Sequence, residues 1–403
     1  MSKADKIIAV AEAVTKKWAK QRKAEERHAT ALSNRRYAMT RRHSITIKEA
    51  AWQVMEEAYL KASAGGTLPA HARQIMYAAR PLILAMVEDK DQLGDAYFTQ
   101  TLLPDYVEQN ACGWNVVYDA RGHFTEPHTK EEVPLGTLHV RSYLGRVGNH
   151  KVEEPNFTVR EKRYPTLGPK NRYGAILFIE KEGFLPLFEA VKLAERYDLA
   201  IMSTKGMSVF AARALIDRLP GIPVLVAHDF DKAGFSIVGT LKQSSRRGFR
   251  YNSNVIDIGL RLADIDGLVS EPAPITNEYK ARANLRANGA TPEEIEFLLQ
   301  ERVELNAFAS DKLVAWLEGK LAEHGIKKVI PDDATLAAAY QRASEYAAVQ
   351  EAIDEAVAEQ RKTATAATVP DNLRALITER LKAEPTLTWD AAVAEIAEGE
   401  EAA

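Results

Sequence analysis

One cysteine, Cys112, occurs in 403 residues. A single thiol excludes an intrachain disulfide framework and any zinc site built on cysteines, and a reducing cytoplasm is the expected compartment. Long apolar runs are also lacking. Nowhere do about 18 such residues follow one another, so no membrane-spanning helix is expected. The N-terminus has neither the short apolar core nor the cleavage signal of a secretory peptide. No Gly-x-x-x-x-Gly-Lys-Ser/Thr loop is present, so the chain offers no P-loop for a nucleotide's phosphates. Net charge is small, −3, and unevenly spread. Residues 1–45 hold twelve Lys or Arg against four Asp or Glu, whereas Glu351, Asp354, Glu355, Glu359, Glu398, Glu400 and Glu401 make the tail acidic. A basic arm suits phosphate contact, although a solvated helix face is the commoner fate of such charge. With 46% hydrophobic and 27% charged residues, the chain has the composition of an ordinary folded protein. Its length suits two or three domains with real cores.

Two apolar runs stand out against this background. Ile176-Leu-Phe-Ile ends in Glu180-Lys-Glu-Gly183, and Val224-Leu-Val-Ala ends in His228-Asp229-Phe-Asp231-Lys-Ala-Gly234. Continuous Val/Ile/Leu runs of this length read as buried parallel strands. Chemistry in open α/β sheets collects beyond the carboxyl ends of the strands. Glu180, Asp229 and Asp231 therefore bring three oxygen donors toward one point, as Mg²⁺ sites for work on phosphates require. The plainer reading, helix caps at strand–helix junctions, accounts for one such end more readily than for two in the same unit.

This pattern resembles the Toprim domain of topoisomerases, bacterial primases and overcoming-lysogenization-type nucleases. The resemblance places that family's metal-binding glutamate on Glu180 and its Asp-x-Asp pair on Asp229 and Asp231. Ser203-Thr-Lys205-Gly206 through Arg213 is similar to the Lys-Gly…Arg stretch of topoisomerase VI A subunits, and Glu180-Lys-Glu-Gly-Phe is closer to that branch than to primases. The likeness is strongest over 173–265, good over 46–80 and traceable to about 335.

A topoisomerase needs a nucleophile outside this unit, and Tyr77 is the candidate. Arg73 and Tyr77 are one helical turn apart and share a face. A tyrosine of ordinary pKa, about 10, is mostly neutral near neutral pH. A guanidinium one turn away can favour the phenolate or clamp the phosphate under attack. Topoisomerase VI A subunits and the meiotic double-strand-break transesterase carry Arg-x-x-(Tyr/Phe)-Tyr here. Met76 replaces the penultimate aromatic residue in this chain. Pro69 suits the first turn of the tyrosine helix. Upstream, Thr46-Ile-Lys-Glu49 forms a capping box for a helix to about Lys61, with Ala50, Ala51, Val54, Met55 and Ala58 as its apolar stripe. Gly65-Gly66 ends it, and Trp114 to Phe124 is strand-like with a turn at Gly122. Helix, tyrosine helix and strand together suit a winged helix.

The expected fold class is α/β and multidomain: a winged-helix unit plus a Toprim Rossmann-like parallel sheet, with a helical N-terminal arm and C-terminal tail. The expected parts are a basic arm over 1–43, the winged helix with the tyrosine over 44–112 and a β-rich connector over 113–172. The Toprim domain follows over 173–265, a helical C-terminal part over 266–340 and an acidic helical tail over 341–403. Thr363 to Pro370 reads as a linker within the tail. His123, Glu126 and His128 are zinc-ligand types, but five positions put the two histidines on opposite faces of a regular strand. They read as polar or interface residues. His228 reads as a buried strand histidine, with support of the metal as the alternative.

The resemblance implies a metal-dependent DNA transesterase. Tyr77 would form a 5′-phosphotyrosyl bond, Arg73 would steady the phosphorane, and Mg²⁺ would sit on Glu180, Asp229 and Asp231. Lys205, Arg80, Arg41 and Arg42 are the expected DNA contacts. Double-stranded DNA, a homodimer with sites shared between protomers, and a B-type ATPase on a separate chain are the expected partners. Hydrolysis by a Toprim nuclease is the alternative chemistry, and a catalytically silent DNA-binding module the alternative class.

Overall fold

The computed structural model describes residues 22, 45–87, 93–119, 122–127, 129–148, 156–158, 171–203, 210–219, 221–242, 254–363 and 368–400. Most of the basic arm, including Arg41 and Arg42, lies outside them, as do Lys205 and His128. The chain divides into two compact units. No helix among the described residues is long and apolar enough to cross a membrane.

Unit one comprises Met1–Gly65 and Arg73–Trp114, and its described part is helical. Helix α1, Ile47–Ala62, opens on Thr46, whose hydroxyl accepts from the Glu49 N–H at 3.2 Å. The Thr46 N–H in turn donates to the Glu49 carboxylate at 2.9 Å. This is the capping box expected from the sequence, a device whose loss costs about 1 kcal/mol. Ala50, Ala51, Val54, Met55 and Ala58 are all buried, as the helical spacing requires.

Helix α2, Ala72–Met86, carries Arg73 and Tyr77 as expected. It starts later than Pro69, because Ala70 and His71 pair as a short strand with Val116 and Val117. Extended pairing holds the chain out of the helix until Ala72, so Pro69 is not in the first turn. Pro81 lies inside α2 and has no N–H for the carbonyl of Tyr77, four residues back. A π-helical turn over Phe98–Leu102 leads into α3, Leu103–Gln109. Trp114 stacks on Tyr59 with ring centroids 4.2 Å apart, and Tyr106 stacks on Trp114 at 5.5 Å. That aromatic packing takes Trp114 out of the strand expected there. Among the described residues of the stretch to Phe124 and just beyond, only Val116–Val117 and His123–Thr125 are extended.

Unit two comprises Gly66–Ala72 and Asn115–Ala403. Ala70–His71 is β1 and Val116–Val117 is β2. A hairpin joins β3, His123–Thr125, to β4, Glu132–Pro134. Helix α4, Thr137–Gly148, follows with no buried residue, so the connector is not built of strands alone. Gly145 and Gly148 mask that helix in the sequence, since glycine is a poor helix former.

The centre of unit two is a parallel sheet in the order β6-β5-β7-β8. Its strands are β5 (Ala175–Ile179), β6 (Leu199–Ser203), β7 (Val224–Ala227) and β8 (Val255–Asp257). Side chains alternate between its faces. Ala175, Leu177, Ile179, Leu225 and Ala227 enter one core, while Ile176, Phe178, Val224 and Val226 enter the other. Every residue of β5 and β7 is buried, which explains their unbroken apolar sequence. Each large side chain so buried contributes roughly 1.5–3 kcal/mol.

Helices α5 (Leu185–Ala190), α6 (Leu193–Tyr197), α7 (Phe210–Asp217) and α8 (Lys232–Lys242) lie between the strands in sequence. Helices α9 (Glu278–Ala287), α10 (Pro292–Leu298) and α11 (Ser310–Glu323) close the first core through Leu285, Ile295, Leu298, Leu313 and Leu317. A strand pair, β9 (Glu271–Pro272) with β10 (Glu301–Arg302), brackets α9 and α10. The acidic tail is helical as expected: α12 (Asp333–Thr363), α13 (Leu373–Ala383) and α14 (Trp389–Glu400). Arg380 ties α13 to α14 through Glu395 at 2.5 Å.

Candidate metal centre at the carboxyl ends of the sheet

Ile179 is the register partner of Ala227, so β5 and β7 end level with each other. Glu180 leaves the first end, and His228-Asp229-Phe230-Asp231 leaves the second. The three expected carboxylates are thus delivered to one edge of one sheet. Phe230 fixes the second loop by a two-way backbone pair with Val303, at 2.8 and 3.1 Å. Its ring is fully buried in the first core.

Each carboxylate has a distinct environment. Asp229 is 4% exposed and has both oxygens engaged. Its Oδ1 accepts from the Leu305 N–H at 2.8 Å, and its Oδ2 lies 2.7 Å from the Lys181 ammonium. Asp231 caps α8, with Oδ1 accepting from the Gly234 N–H at 2.6 Å. Burial, then the neighbouring Asp229 charge, raises the Asp231 carboxyl above its ordinary value. Glu180 has a buried oxygen, Oε2, with no hydrogen-bond partner. Burial and then Asp229 push its carboxyl up to about 7. An orphaned carboxylate oxygen beside two further carboxylates fits a group that receives a cation. As the side chains stand, no three His, Cys, Asp or Glu residues among those described are arranged to hold a metal ion. Lys181 accounts for part of this, since its ammonium already occupies Asp229.

Lys181 also binds Glu304, at 2.8 Å. Burial works against its charge, but Asp229 and Glu304 outweigh burial and hold its pKa above the ordinary lysine value. Glu304 is 4% exposed and has Arg302 at 3.6 Å as well. Sequence reasoning assigned no role to Lys181 or Glu304. Lys181 was findable as the neighbour of Glu180; Glu304 was not, because its approach depends on how the chain returns to the Phe230 loop.

His228 is fully buried as expected, but it lies one residue beyond the end of β7 rather than within the strand. Nδ1 lies 2.7 Å from the Asp229 carbonyl oxygen, and Nε2 lies 3.0 Å from Asp257 Oδ1. Burial opposes its charge, but the Asp257 hydrogen bond and charge prevail and raise its pKa. Asp257 continues to Arg261 at 3.2 Å, and Arg261 reaches Glu294 at 2.7 Å. Glycine is required on both sides of the imidazole. A Cβ on Gly234 would collide with the Asp229 carbonyl and His228, and one on Gly259 would collide with the ring itself. Asp257 had the same signature as Asp229, an apolar run ending in a carboxylate with glycine soon after.

In unit one, Tyr77 is buried at 2% exposure. Arg73 is half-buried and pairs with Asp95 at 2.7 Å, and Arg80 is half-buried on the same helix. Arg73 and Tyr77 lie on one helix, and the Arg73 guanidinium engages the Asp95 carboxylate. On the hairpin, the Glu126 carboxylate accepts from the Thr129 N–H at 2.8 Å, which gives it a turn-forming use.

Residues 175–319 match the family model for the Toprim domain of topoisomerase 6 A subunits and Spo11. No curated protein matches the chain. The match begins at the first residue of β5 and ends within α11, so it takes in the sheet, all three carboxylates and Lys181 with Glu304. It supports a function connected with DNA cleavage. Over those residues the chain is similar to the Toprim domain of topoisomerase 6 A subunits and Spo11.

Proposed function

We propose that the protein breaks double-stranded DNA by transesterification. Tyr77 Oη gives up its proton to solvent and forms a bond to a backbone phosphorus, and the bond to the 3′-oxygen breaks. That oxygen leaves with the electron pair and takes up a proton as a 3′-hydroxyl. The 5′ end stays esterified to the protein, so the reverse reaction reseals the strand without another energy source. Glu180, Asp229 and Asp231 would hold Mg²⁺, which when bound supplies charge stabilisation at the phosphate and the departing oxygen. Lys181 and the Leu305 N–H hold Asp229 in place. Arg73 would exchange Asp95 for the phosphate.

The observation that carries this reading is the delivery of Glu180, Asp229 and Asp231 to one sheet edge within the family-matched segment. Tyr77 on a helix one turn from Arg73 adds the nucleophile. The helices of unit one would serve as a winged-helix DNA module, with Arg80, Lys205, Arg41 and Arg42 on the backbone. Two strands of opposite polarity call for a two-fold dimer, each tyrosine working with the partner's carboxylates. The P-loop is absent from the sequence, so strand passage would draw on a B-type ATPase chain. The cytoplasm, at the nucleoid, is the matching location.

A second reading is hydrolysis, with water in place of the phenol, and one observation favours it: Tyr77 is 2% exposed. Analysis of the cut ends separates the two. Transesterification leaves 5′ ends linked to protein, and free 5′-phosphates would establish hydrolysis instead.

A further inference from the structure

A cavity of about 470 Å³ opens beside Asp231. That is within the range of about 300–1,000 Å³ that takes a ligand of small-molecule size. Its walls differ in chemistry. Pro274 and Ile275 supply an apolar side, Ser236 and Asn284 a polar one, and Lys232 a cation next to Asp231. Ser236 Oγ lies 3.0 Å from Asn284 Oδ1 and 2.8 Å from the Lys232 carbonyl. The Asn284 carboxamide lines the cavity and carries an N–H2 donor group beside its acceptor oxygen. Lys232 is exposed and has no ion-pair partner among the described residues.

We propose that this cavity seats one nucleotide of the DNA strand beside the phosphate being broken, its base against Pro274 and Ile275 and its phosphate toward Lys232. The inference rests on the reading of Glu180, Asp229 and Asp231 as the site of DNA breakage. A nucleotide matches the three walls: flat apolar faces, an edge of donors and acceptors for Asn284, and an anion for Lys232. Enzymes that draw a base out of the stack hold it between apolar side chains and read its edge in this way. Asp231 decides the source. Its carboxylate repels a free anion at the cavity mouth. A nucleotide tethered within a strand is carried there with the phosphate on which the carboxylates act.

The test uses the full chain with Mg²⁺ and duplexes in which 2-aminopurine is walked along the strand. At one position the fluorescence should rise several-fold on binding, reporting a base taken out of the stack. Ala233→Trp, which fills the mouth from an exposed position on α8, should abolish that rise. It should also weaken binding roughly tenfold, the loss expected for one seated base. Asn284→Ala should lower the rise without filling the cavity. Free dAMP in large excess should leave the signal unchanged. The proposal is overturned if no position brightens, or if the brightening survives Ala233→Trp. Competition by dAMP would overturn the strand as the source and assign the cavity to a free nucleotide. These readouts are fluorescence and affinity, so a chain that cuts by hydrolysis, or without Tyr77, leaves them intact.

Discussion

The Lys181 ammonium lies 2.7 Å from Asp229 Oδ2, directly beside the glutamate that shares the sheet edge with it. A protein cation thus neutralises the central carboxylate from within, and Glu304 holds that cation from its other side at 2.8 Å.

Lys181→Met should therefore leave two nearly buried carboxylates facing each other. Removing one partner of a buried pair costs about 3–5 kcal/mol, and the lower end applies here because Lys181 keeps some solvent contact. Thermal unfolding should show a clear drop in Tm. Added Mg²⁺ should raise the Tm of the variant more than that of the unaltered protein. A variant as stable as its parent would remove Lys181 from this account.

The His228–Asp257 pair makes a pH-dependent contribution. Burial opposes ionisation of Asp257, but the His228 hydrogen bond and charge outweigh it and hold the carboxyl below its ordinary 3.8. A depressed folded-state value gives stability that is complete above about 3.8 and lost as pH falls through the folded value. His228 is raised above 6.5, so its share is complete below 6.5 and lost as pH rises through its folded value. Asp257→Asn should cost about 2 kcal/mol between those limits, with the gap to the parent narrowing on either side. Denaturant titrations across pH measure this. A gap independent of pH would show that the pair is not ionised.

Much of this was legible in the sequence because the buried strands announce themselves. Ile176 to Ile179 and Val224 to Ala227 face apolar cores on both sides, so no polar residue interrupts them before Glu180 and His228. The capping box at Thr46 and Glu49 was equally local. Residues that act through long-range return of the chain were hidden. Glu304 reaches Lys181 from 123 positions away, and Leu305 donates to Asp229 from 76. Pro69 misled because helix-start chemistry is local, whereas the pairing of Ala70 with Val116 that delays α2 is not.

The proposed dimer leads to a complementation test. Tyr77→Phe protein and Asp229→Ala protein should each fail to cut. Mixed under conditions that exchange protomers, they should restore nicking of one strand, since one composite site in the heterodimer is intact. A mixture that stays inactive after demonstrated exchange would contradict sharing of sites between protomers.

The central claim is that Tyr77 becomes covalently joined to DNA. Protein trapped on duplex DNA in the presence of Mg²⁺ should be denatured, digested and read by mass spectrometry for the residue that carries the nucleotide. The account predicts a 5′-linked nucleotide on Tyr77, and no adduct from Tyr77→Phe protein that still binds DNA. A nucleotide on any other residue, or adducts that persist in Tyr77→Phe, would contradict it.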